Sequence, residues 1–71
     1  MRQSLRKQLA AFLRQARGKL TYVQFEKRMG ISASTLHRIE MCRQNVTLDM
    51  LETITNRLKV SLSEIFGDQK K

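Results

Sequence analysis

The chain is 71 residues long, carries a formal net charge of +8 and contains one Cys, one His and no Pro. This length gives room for one domain with a thin core, because a domain of about 60 residues buries only roughly 60% of its unfolded surface; no second lobe is left to wall an active-site cleft. One cysteine excludes an intrachain disulfide, Cys42 and His37 cannot complete a zinc site, and the longest apolar run, Leu9 to Leu13, falls far short of a bilayer span of about 20 residues.

Few glycines, no proline and few aromatic residues predict helices rather than sheet. Leu5, Leu9, Phe12, Leu13 and Ala16 form one apolar stripe of a first helix, with Arg2, Arg6, Lys7, Arg14 and Arg17 largely off it. Gly18 is placed to stop that helix in a left-handed conformation. Thr21 and Gln24 read as a capping box opening a second helix, with Phe25 and Met29 on its apolar face, Val23 at the margin and Gly30 at its end. Ser32 caps a third helix reaching Met41, with Leu36 and Ile39 inward and Ile31 packed just before it.

Residues 42–45 lack periodicity and read as a loop. Thr47 caps a fourth helix with Leu48, Leu51, Ile54 and Leu58 inward. Ser61 and Glu64 form a second capping box for a short last helix burying Leu62, Ile65 and Phe66. The expected fold is all-α: five short helices in a single domain over 1–71, with an ordered core at about 5–66 and a short polar tail at 67–71.

Charge is distributed unevenly. Residues 1–45 carry ten basic and two acidic side chains, whereas residues 46–71 carry four of each. Such asymmetry points to an anionic partner on one side. Nucleic acid leads; a membrane surface or an acidic protein would satisfy charge alone. The second and third helices, joined by Gly30-Ile31-Ser32, meet the needs of a helix-turn-helix: a tight turn, apolar residues facing the core, and small or polar residues on the outer face of the second member. Ala33, Ser34, Thr35, His37 and Arg38 supply that outer face.

The stretch from Leu20 to Glu40 resembles the helix-turn-helix of the Cro and phage-lambda-repressor-like family of DNA-binding transcriptional regulators. The ending Leu58-Lys59-Val60-Ser61-Leu62-Ser63-Glu64-Ile65-Phe66 is similar to that family's last helices, so the resemblance covers about residues 5–66. It implies a compact five-helix domain that binds double-stranded DNA, usually as a homodimer on a near-palindromic operator, and a structural ion pair between Arg14 and Glu40. The chain departs from the family's pattern in four places. Tyr22 stands where Gln commonly holds a phosphate, Glu26 where a small residue is usual, Cys42 where Gly is usual and Val46 where Pro is usual. Tyr22 can still offer its hydroxyl to a phosphate, whereas Glu26 needs a partner or an outward route.

Ala33, Ser34, His37 and Arg38 are the candidates for base contact; an arginine can bond both acceptors of guanine, worth roughly 1–3 kcal/mol of discrimination. Tyr22, Lys27, Ser32, Thr35, Arg43, Gln44 and Asn45 are the candidates for backbone contact, which positions without reading sequence. The expected function is that of a sequence-specific, repressor-type regulator in the cytoplasm, needing no cofactor and no membrane. Its dimer surface is expected around Leu58 to Phe66, where no excess charge repels a second copy. The alternative is an antitoxin or bridging module of the same fold whose main task is to hold a protein partner. Catalysis is disfavoured by the lack of paired carboxylates, a metal cluster or a phosphate-cradling glycine loop. RNA stacking is disfavoured because Phe12, Tyr22, Phe25 and Phe66 are the only aromatic residues.

Overall fold

A computed structural model describes residues 4–67. Each helix begins where a hydroxyl side chain satisfies an amide that the first turn leaves free. Ser4 opens α1 (Leu5–Arg17), Thr21 opens α2 (Tyr22–Met29), Ser32 opens α3 (Ala33–Glu40), Thr47 opens α4 (Leu48–Leu58) and Ser61 opens α5 (Leu62–Phe66). Both expected capping boxes form, Thr21 with Gln24 and Ser61 with Glu64. No strand occurs among the described residues. Arg2 and the tail beyond Gly67 lie outside them.

Helix α1 packs on α3 and α5, and α2 packs on α3 and α4. The core between them is Leu9, Leu13, Phe25, Met29, Ile31, Leu36, Ile39, Ile54 and Ile65, with Ala10 buried beside it. Full burial of such a side chain stabilises the fold by about 1.5–3 kcal/mol. Three residues expected inside are not. Leu5 is 63% exposed, Leu48 82% and Leu62 53%. Each is the first residue of its helix, and Leu5 and Leu62 border an open groove where α1, α4 and α5 meet. Val23 is also exposed.

The helix-turn-helix closes through Gly30, at φ 70°, ψ 21°. A Cβ there would sit 2.9 Å from Arg57 Nη2, because the α4 guanidinium lies against the turn and its Nη1 donates to the Arg28 carbonyl. Glycine is therefore favoured by conformation, and a side chain there would displace the Arg57 guanidinium from the turn. Gly18, by contrast, ends α1 at φ 55°, ψ −120°, a glycine conformation outside the left-handed helical region expected for it. The exit from α3 keeps the left-handed step despite its non-glycine residue. Cys42 has φ 59°, its amide donates to the Ile39 carbonyl, and the Arg43 amide donates to the Arg38 carbonyl at 2.8 Å. Those two bonds are the paired closure of a Schellman turn. Lys59 repeats the conformation after α4, at φ 58°, with the Val60 amide donating to Thr55.

Candidate nucleic-acid interface

Helix α3 presents Ser34, His37 and Arg38 to solvent, while Leu36 and Ile39 enter the core. Ala33 and Thr35 are half-buried. Arg14 on α1, Lys27 on α2 and Arg43 in the loop after α3 are exposed cations on the elements that pack against or follow α3. The outer surface of α3 is thus open and polar.

Both ends of α3 are tied to the protein. At its start, Ser32 Oγ accepts from the Thr35 amide and donates to Thr35 Oγ1 at 2.8 Å, so these two hydroxyls serve the cap. Glu26 Oε1 accepts from the Ala33 amide at 3.1 Å. Glu26, in the place of the family's small residue, takes the outward route and fills the position where a helix N-terminus would receive a phosphate. Ser32, a candidate for backbone contact, acts here as the cap, and a carboxylate occupies the Ala33 amide beside it.

At the end of α3 the expected ion pair is also corrected. The cation paired with Glu40 is Arg17, whose Nε and Nη2 meet the two carboxylate oxygens at 2.9 and 3.1 Å. Arg14 donates instead to the Glu40 backbone carbonyl at 2.8 Å, satisfying one of the carbonyls that a helix end leaves free. Glu40 is 1% exposed, so its charge depends on these partners. Tyr22 supplies another: its hydroxyl donates to Glu40 Oε1 at 2.9 Å. That proton was expected to be available to a phosphate; here it is committed to the carboxylate. The Arg17 guanidinium lies over the Tyr22 ring, 4.3 Å from the centroid, and Arg17 Nη1 donates to the Leu20 carbonyl. The Tyr22 ring meets His37 in an edge contact, with centroids 5.2 Å apart.

Burial, and then the hydrogen bond to Glu40, raise the Tyr22 phenol above its ordinary pKa. The same carboxylate, mainly through its hydrogen bond, raises the Arg17 guanidinium and keeps it charged. One buried carboxylate thereby joins α1, the start of α2 and the end of α3.

The loop candidates form a chain of their own. Gln44 Oε1 accepts from Arg38 Nε at 3.1 Å, Gln44 Nε2 donates to the Asn45 carbonyl at 3.3 Å, and Asn45 Oδ1 accepts from Arg6 Nη2 of α1. Gln44 and Asn45 thus brace the loop, whereas Arg43 projects outward. Sequence reasoning missed Arg6, Arg17 and Arg57 as structural cations. Arg14 and Arg17 are one helical turn apart, which was a signal that both approach α3; nothing in the sequence marked Arg57.

Among the described residues no three His, Cys, Asp or Glu side chains gather as a metal site, and no helix is long and apolar enough to cross a membrane. Comparison with curated proteins and with solved structures finds no match. A family model described as a helix-turn-helix domain matches residues 8–65, a span running from the first turn of α1 into α5, and the chain belongs to that family.

Proposed function

We propose that the protein is a sequence-specific, double-stranded-DNA-binding transcriptional regulator of the repressor type, related in plan to the Cro and phage-lambda repressors. The observation that carries this reading is the outer face of α3: Ser34, His37 and Arg38 are exposed in the basic part of the chain while both helix ends are held by other parts of the chain. Basic residues draw the duplex in and release counterions, and α3 then enters the major groove. Arg38, His37, Ser34 and Ala33 read base edges. Lys27 and Arg43 hold phosphates.

Selection from random duplexes, compared between the wild type and Arg38→Ala, tests the assignment. Loss of preference at one base pair with modest loss of affinity supports it. No preference in the wild type at low salt refutes it.

A homodimer is part of this proposal. Leu5, Leu9, Val46, Leu51, Leu62 and Phe66 line an apolar groove of about 570 Å³ where α1, α4 and α5 meet, with Arg6 and Asn45 beside them. On a near-palindromic operator such a dimer would need its two recognition helices about 34 Å apart, one turn of duplex. Sedimentation with and without operator DNA should show the dimer. Monomer throughout would favour the other use of the groove, a heterologous protein partner.

A further inference from the structure

We propose that Gln44 is the positioning residue for Arg38, holding its guanidinium so that the two terminal nitrogens form the fork that meets guanine. This rests on the reading of α3 as the base-reading helix. An exposed arginine on a helix samples many rotamers, and ordering it on binding costs side-chain entropy. Arg38 is exposed, but its Nε is already engaged by Gln44 Oε1 at 3.1 Å. A guanidinium only donates, so the amide atom facing it must be the oxygen, which fixes the orientation of the Gln44 amide. Its Nε2 then points to the Asn45 carbonyl, where the structure has it.

The support extends further. Asn45 is held by Arg6 of α1, and the Arg43 amide donates to the carbonyl of Arg38 itself. Arg38 is therefore tied to the loop by both its backbone and its side chain. With Nε occupied, side-on docking through Nε and one terminal nitrogen is closed. The end-on pair, Nη1 and Nη2, remains free to bond the O6 and N7 acceptors of guanine. This differs from the phosphate contact expected of Gln44: a phosphate would accept from Nε2, which here already donates to the Asn45 carbonyl.

The test compares wild type, Gln44→Ala, Gln44→Glu and Arg38→Ala by two measurements. In DNA-free protein, nitrogen-resolved NMR should show slowed water exchange at Arg38 Nε–H in the wild type and in Gln44→Glu, which retains an acceptor. In Gln44→Ala the exchange should be as fast as at exposed Arg43. In selection from random duplexes, the base preference that Arg38→Ala abolishes, of about tenfold, should shrink several-fold in Gln44→Ala. Gln44→Glu should keep that preference while binding every sequence more weakly, because it adds a negative charge near phosphates.

Uniform weakening by Gln44→Ala with the preference intact would make Gln44 a phosphate contact and overturn the proposal. Fast exchange at Arg38 Nε–H in the wild type would also overturn it. If Arg38→Ala leaves the preference unchanged, Arg38 is no reader and the proposal falls with that assignment; the exchange measurement then still distinguishes an absent clamp from a clamp serving no readout.

Discussion

The two ends of this small domain share one apolar core but differ in what they add to it. The basic part supplies seven of the nine core residues and adds a polar junction in which Arg14, Arg17, Tyr22 and Glu40 join three helices around one buried carboxylate. In the neutral part, α4 and α5 are anchored by Ile54 and Ile65, while Leu48 and Leu62 remain largely in solvent. The basic end fixes α3 from both sides and leaves its polar face free. The neutral end leaves apolar surface free. The buried Glu40 lets a strongly cationic region hold a definite shape.

The comparison predicts unequal responses to substitution. Arg17→Ala should have the largest effect, because it leaves the Glu40 charge buried without its bidentate partner. The cost expected is about 3 kcal/mol, a large share of the total stability of a domain this size, read as a lower midpoint in urea. A variant as stable as wild type would show that the carboxylate is not confined as described.

Tyr22→Phe removes one charge-assisted hydrogen bond and should cost about 1.5 kcal/mol. It also carries a pH signature. The folded phenol has a raised pKa, so its contribution is fully present below the unfolded value and is lost as pH rises through the folded one. Stability should therefore fall in that alkaline range for the wild type, and fall less for Tyr22→Phe. Tyr22 is the only tyrosine and the chain has no tryptophan, so its ultraviolet titration is a clean probe; the midpoint should lie above that of the unfolded chain.

Smaller effects are expected toward the other end. Lys59→Gly should stabilise by about 1 kcal/mol, since an exposed lysine at φ 58° gives way to a residue suited to that conformation. Thermal melting would register it. Leu48→Ser should change the stability of the dilute monomer by less than about 0.5 kcal/mol, because that side chain is already in water. Should it instead weaken self-association, the exposed side of α4 that carries Leu48, beside Leu62 of α5, is part of the dimer surface.

Much of the fold was legible in sequence because its punctuation is local. Thr21 with Gln24, Ser32, Thr47, and Ser61 with Glu64 each act within one turn, so cap chemistry placed four helix starts. The tertiary choices were less accessible. Helical period identifies residues that share a face, but it does not say where a covering neighbour stops; hence Leu5, Leu48 and Leu62 were expected inside. The same limit misassigned Glu40, since Arg14 and Arg17 share a face and only the crossing of α1 on α3 decides which guanidinium reaches the carboxylate. Tyr22 was read from its hydroxyl alone, and its partner lies eighteen residues away. At Cys42, residue identity argued against a left-handed exit that the following backbone bonds nonetheless enforce.

Cross-saturation from a duplex to the amides of the protein, at low salt, addresses the central claim most directly because it reports contact rather than conformational response. The account predicts attenuation concentrated at residues 33–38 and in the loop at 43–45, with α5 unaffected. Attenuation confined to α4 and α5, or no association with duplexes of any sequence, would contradict it.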